Sequence, residues 1–192
     1  MWLKQLTMKN IFIPIILALL FFQNCTNNPN PFLISKQSVG LLNDSTTVGE
    51  LKQVFPNDSL SRLIDGDEFL GHSNIIKVYD STSQKLLLEL TPSEALDSLS
   101  TIQNIRIMDE QFKTTKGLNI ESNFEEISSK YTISSVQNTL KNLIVSVDEI
   151  NAYFTIDKSE LPEDLRYDMS KKIEALSIPP KAKIKDFFIQ WY

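Results

Sequence analysis

Apolar positions along this chain follow two different periods, and the changes between them mark out its elements. Val48, Leu51, Val54 and Phe55 are spaced by three, three and one, which places them on one face of a helix that Pro56 ends. Thr46 or Thr47 can cap it. Ahead of it, residues 38–42 predict a short strand with Gly40 inside, followed by the turn residues Asn43, Asp44 and Ser45. The polar stretch 57–73, with Gly66 and Gly71, reads as a long loop with at most a helical turn at 60–64. From residue 75 the period drops to two. Residues 75–79 and 85–90 form a hairpin turned at Asp80, Ser81, Thr82 and Ser83, with Leu86, Leu88 and Leu90 on one face. Thr91, Pro92, Ser93 and Glu94 open a helical turn reaching Leu99. Ile105 and Ile107 then alternate with Asn104 and Arg106 in a closing strand.

The same order follows a second time. Residues 112–118 lead into Glu121, Ser122 and Asn123, and then into a helix carrying Phe124, Ile127 and Tyr131 on one face. Residues 133–136 add a strand. Leu143, Val145 and Val147 form one alternating set and Ala152, Phe154 and Ile156 another, turned at Asp148 and Glu149. Residues 161–176 predict a longer helix, with Pro162 in its first turn and Leu165, Met169, Ile173 and Leu176 spaced by four, four and three. Pro179 and Pro180 end it. A last strand at 184–191 presents Phe187, Ile189 and Trp191 together.

Residues 102–131 are therefore the hinge of a repeated pattern. Ser38, Gly40, Leu41, Asp44, Ser45, Val48 and Leu51 recur in kind as Thr115, Gly117, Leu118, Glu121, Ser122, Phe124 and Ile127, with one residue inserted near Thr46. Ile102, Ile105 and Ile107 recur as Ile184, Phe187 and Ile189. The expected fold is α+β: two similar helix plus antiparallel hairpin units in tandem, at 32–110 and 111–192. They form one globular domain with an antiparallel sheet and helices packed on one face. Each unit alone exposes a sheet face, and pairing the two is expected to bury it. The run from Asp44 through Val48, Leu51 and Phe55 to Pro56 resembles the helix of small outer-membrane lipoproteins of the BamE (SmpA/OmlA) type. The tandem order is similar to the duplicated units of beta-lactamase-inhibitor-protein folds.

The N-terminal residues bear on location. Lys4 and Lys9 precede an apolar run at 11–22, shorter than the ~20 residues of a membrane span. That pattern predicts a secretory signal at 1–24. It ends at Cys25, the one cysteine in the chain, which has no partner for an internal disulfide. The sequence Leu20, Phe21, Phe22, Gln23, Asn24, Cys25 resembles the lipobox of bacterial lipoprotein precursors, in the looser form found in Bacteroidetes-type bacteria. The resemblance implies lipid (diacylglyceryl and palmitate-type acyl chains) on Cys25, cleavage before it, and anchorage to the membrane. More than one chain is needed for stable anchorage, since each buried methylene contributes about 0.8 kcal/mol. Thr26, Asn27, Asn28, Pro29, Asn30 and Pro31 make residues 25–31 a lipidated tether. No acidic residue follows Cys25 closely, and by the same resemblance this implies the outer membrane and its periplasmic face.

Composition narrows the chemistry. With 42% hydrophobic and 22% charged residues the chain can bury a core. Its net charge of -5 becomes -7 once Lys4 and Lys9 leave with the signal, a balance that opposes binding to nucleic acid. His72 is the single histidine, no serine lies in a Gly-x-Ser-x-Gly elbow, and Cys25 is no nucleophile if it carries the lipid that the resemblance implies. A zinc site of histidine and cysteine ligands cannot be assembled, and five glycines supply no phosphate loop. Glu125 with Glu126 and Asp148 with Glu149 are adjacent in sequence, so their side chains diverge and are not placed for paired acid and base work. The expectation is a protein with no cofactor and no enzymatic activity that contacts an envelope protein through its sheet face or edge. Tyr79, Tyr153 and Trp191 are the candidate contact residues. The alternative is an inhibitor-like or ligand-binding module using the loop 57–73. There Asp65, Asp67 and Glu68 gather carboxylates suited to calcium, without the EF-hand spacing.

Overall fold

A computed structural model describes residues 30–64, 74–167 and 172–192. The signal at 1–24, Cys25, Met169, His72 and the acidic residues Asp65, Asp67 and Glu68 lie outside them. The chain enters the fold through β1 (Leu33–Ile34), β2 (Ser38–Val39) and β3 (Leu42–Asn43), a small antiparallel meander. One strand was expected at 38–42, but Gly40 sits at φ +59 and turns the chain between two. A Cβ on Gly40 would lie 2.2 Å from the carbonyl oxygen of Pro31, so close approach as well as conformation requires glycine. A 3-10 turn at Val48–Glu50 runs into α1 (Leu51–Val54).

The stretch expected as a loop begins as a strand. β4 (Ser59–Ile64) pairs along its length with β5 (Asn74–Tyr79), which excludes a helical turn there. β5 continues into β6 (Leu86–Pro92) and β7 (Ile102–Ile107) as an antiparallel meander. The helical turn expected between them is absent: residues 93–101 run through bends, with Leu96 at φ 63. β8 (Lys113–Thr114) lies parallel to β1 and completes the small sheet. Next come α2 (Phe124–Lys130) and a second meander of β9 (Ser135–Asn138), β10 (Asn142–Val147), β11 (Ala152–Asp157) and β12 (Asp186–Gln190). α2 is capped reciprocally. The Glu126 N–H donates to Asn123 Oδ1 and the Asn123 N–H to Glu126 Oε2, both at 3.0 Å.

Among the described residues, the helix expected at 161–176 is reduced to α3 (Glu163–Arg166), with a 3-10 turn at Ala175–Ser177. Leu165 and Ile173 are buried as their spacing suggested, but Leu176 is 97% exposed, so the four-four-three series does not form one face. Helix propensity is a weak preference that tertiary pairing outweighs. Here the backbone after residue 178 is held by Phe124 and Glu125, whose N–H groups donate to the carbonyls of Ala182 and Pro180.

The two meanders join edge to edge. β7 and β12 pair antiparallel, giving one eight-stranded sheet in the order β4-β5-β6-β7-β12-β11-β10-β9. Among the described residues the architecture is thus α+β and mostly antiparallel strand, with few and short helices. One face of the large sheet is the core. Ile76, Val78, Leu88, Leu90, Ile105, Ile107, Phe187, Ile189, Phe154, Ile156, Leu143, Val145 and Val147 are all buried there. They join Leu51, Phe124 and Ile127 of the helices, together with Ile34, Val39 and Leu42 of the small sheet. Each such side chain stabilises the fold by roughly 1.5–3 kcal/mol. The two meanders thus pair edge to edge into one sheet, and the short helices together with the small sheet cover its inner side.

The starts of the helical segments are tied to the stretches leading into β7 and β12 by matching backbone bonds. Val48 N–H donates to Ser100 O at 2.9 Å and Ile102 N–H to Thr46 O at 3.1 Å. Phe124 N–H donates to Ala182 O at 2.9 Å and Ile184 N–H to Ser122 O at 3.3 Å. No described helix is long and apolar enough to cross a membrane.

Candidate binding face

The other face of the large sheet faces outward, and register dictates what it presents. A single row of directly opposed residues crosses all eight strands: Ser61, Lys77, Glu89, Arg106, Phe188, Tyr153, Ser146 and Ser135. Each belongs to the off-phase set of its strand, because the alternate set is spent on the core. The row changes character along its length, from charged to aromatic to small and polar.

Arg106 is the centre of the charged part. Its guanidinium forks between Glu89 Oε2, at 3.0 Å through Nη1, and Asp186 Oδ1 through Nη2. Lys77 Nζ lies 3.4 Å from Glu89 Oε1, and the Thr155 hydroxyl donates to Asp186 Oδ2. Burial works against the charge on Arg106, but the hydrogen bonds to Asp186 and Glu89 outweigh it and hold its pKa above the ordinary value. The two carboxylates are largely enclosed, so this cluster is a fixed, neutralised network rather than a set of mobile surface charges. Chemically it offers no free base or nucleophile.

The aromatic part is equally fixed. Phe188 and Tyr153 stack with centroids 4.6 Å apart and planes within 12°. Arg106 Cζ stands 5.9 Å from the Phe188 centroid on its other side. Asn104 Nδ2 donates to the Tyr153 hydroxyl at 2.9 Å. Burial, opposed by that hydrogen bond, keeps the phenol above its ordinary pKa, so it stays protonated at neutral pH. Beyond Tyr153 the small side chain of Ser146 opens a groove of about 530 Å³, whose lining includes Gln137, Ile144, Asp148, Asn151 and Gln190.

The three aromatic candidates have separate fates. Tyr153 stands in the centre of the face, and Tyr79 is half-buried on the same face of β5, opposite Ser59 and Leu86. Trp191 is only 3% exposed, and its Nε1–H donates to the Lys36 carbonyl at 3.1 Å. It pins the chain entry to the core and presents no ring at the surface. Arg106, Glu89, Asp186 and Phe188 were not among the expected contact residues. The charged three share opposite charges at the polar phase of strands that pair, a signal that shows only once the pairing is known, and Phe188 carries no such mark. Among the described residues no group of three or more histidine, cysteine, aspartate or glutamate side chains could hold a metal ion.

No protein-family model matches the chain, and no curated protein sequence matches it. Among solved structures, the crystal structure of the uncharacterized protein yfeY from Escherichia coli superposes with a TM-score of 0.54. The match has 12% sequence identity and covers 82% of this chain and 99% of that one. At that identity the likeness is one of fold.

Proposed function

We propose that this chain is a lipid-anchored lipoprotein of the bacterial envelope that works by binding another envelope protein and carries out no chemistry itself. The observation that supports binding is the ordered outward face of the large sheet, where charges are already paired and aromatic rings already stacked. Such a preorganised surface loses little side-chain freedom on contact. The anchor rests on the sequence from Lys4 to Cys25, and the site proposed for the protein is the periplasmic face of the outer membrane. The segment 25–31 then leads within a few residues into β1, which keeps the folded part close to the bilayer.

The proposal includes descent from a duplicated unit. Thr46 and Ser122, like Val48 and Phe124, are 76 residues apart, while Ser100 and Ala182, like Ile102 and Ile184, are 82 apart; these residues make the same backbone bonds in both halves. Leu42 and Leu118 are both fully buried whereas Leu41 is 42% exposed, which supports moving the inserted residue from near Thr46 to Leu41. The test of the reading has two arms. Cys25→Ala is expected to abolish incorporation of labelled palmitate and release the protein from the membrane fraction; retained label would overturn the anchor. A photo-crosslinking residue at Lys77 or Tyr79 is expected to trap one discrete envelope protein in cells, while one at Glu94, off the face, traps none. Equal crosslinking from all three positions would overturn the binding face.

A further inference from the structure

The groove beyond Tyr153 has a chemistry of its own, different from the charged row beside it. Phe188 occupies one face of the Tyr153 ring from β12, so the opposite face is turned toward β10. There the residue opposed to Tyr153 is Ser146, whose small side chain leaves the ring as a wall over a low floor. Gln137 on β9 stands across the floor, and Gln190 on β12 lies at one end. The side chains of Gln137, Ser146 and Gln190 make no hydrogen bond to another described residue, so their amide and hydroxyl groups are open to a ligand. Tyr192 completes the lining, Asp148 supplies its one acidic side chain, and no lysine or arginine contributes to it.

We propose that this groove binds a short, neutral oligosaccharide. Its size falls within the ~300–1,000 Å³ of small-ligand sites. A carboxamide offers both a donor and an acceptor, the combination that a sugar hydroxyl needs, and the groove carries such groups on both sides. The exposed face of an aromatic ring accepts the apolar C–H face of a pyranose, and the ring is already held by Phe188 and Asn104. Anionic ligands are disfavoured, because Asp148 repels them and no cation pairs with them. An extended peptide would instead need backbone partners, which a sheet face, unlike a sheet edge, does not supply.

The experiment uses the full, lipidated chain in a detergent without a sugar headgroup. Maltotriose, cellotriose, triacetylchitotriose, trigalacturonate and trialanine are compared by saturation-transfer NMR and calorimetry. At least one neutral trisaccharide is expected to bind in the millimolar range or tighter, with trigalacturonate not bound. Gln137→Ala and Gln190→Ala are each expected to weaken that binding roughly tenfold. Both positions are at the surface, and unchanged near-UV circular dichroism checks that the fold survives. Binding of no neutral trisaccharide, binding that neither variant weakens, or binding of trialanine in their place would overturn the proposal. A negative result here leaves the crosslinking at Lys77 and Tyr79 as a separate readout of the protein-partner reading.

Discussion

Gly40 and Gly117 both hold the left-handed conformation, at φ +59 and +79, yet their surroundings differ. At Gly117 the nearest atom to an added Cβ is the end of a flexible lysine, Lys130 Nζ, at 3.9 Å. At Gly40 it is the backbone oxygen of Pro31 at 2.2 Å, next to Phe32, whose ring packs edge-on against Phe112. Alanine in the left-handed region costs about 1–2 kcal/mol at either position. Gly40→Ala adds a backbone clash and is expected to cost at least about 1 kcal/mol more than Gly117→Ala in urea unfolding. Equal losses would mean that residues 30–32 do not rest on the turn. The sequence marked both glycines as equivalent, because conformation is written locally and close approach is not. Arg106 was opaque for a related reason: a single arginine between isoleucines reads as a solvated strand position, and its carboxylate partners lie 17 and 80 residues away.

Elements were legible where one phase of a strand is wholly apolar. Leu143, Val145 and Val147, and Phe154 and Ile156, declared their strands and their buried side together. β4 was not legible, since Ser59, Ser61 and Arg62 break the apolar alternation and Leu63 and Ile64 are consecutive; an edge strand needs only one good neighbour, which β5 provides. Residues 161–176 erred in the other direction, with helical spacing but, among the described residues, no helix longer than Glu163–Arg166. The segment between β11 and β12 is instead secured at its ends. Asp157 accepts from Ser159 N–H at 3.0 Å and from Lys185 Nζ at 2.9 Å, which brings its pKa from the ordinary 3.8 to about 2. A folded pKa below the ordinary value means that this contribution is complete above about pH 4 and is lost as pH falls through about 2. Asp157→Asn is expected to flatten the acid limb of stability between those values while changing little in its shape at neutral pH. An unaltered acid limb in the variant would place the acid sensitivity elsewhere.

At the scale of the whole molecule, the seam between β7 and β12 decides whether the two meanders behave as one body. Within the large sheet they meet only there, with Phe187 opposite Ile107 and Ile189 opposite Ile105, all fully buried. Phe187 also packs on Phe154, centroids 4.6 Å apart, so the seam continues into the second meander. The outward side of the same seam is closed by Arg106, which links Glu89 of the first meander to Asp186 of the second. Apolar pairing on one side and an ionic fork on the other argue for a single cooperative unit, in contrast to tandem domains that unfold in turn. Phe187→Ala removes a large core side chain at this junction and is expected to cost about 3–5 kcal/mol. If the meanders are one unit, hydrogen exchange will quicken by the same factor for core amides of β5 and β6 as for those of β10 and β11, although β6 and β7 separate β5 from the substituted strand. Exchange that quickens in β10 and β11 alone would show that each meander retains its own stability, and that the seam joins two units which can open separately.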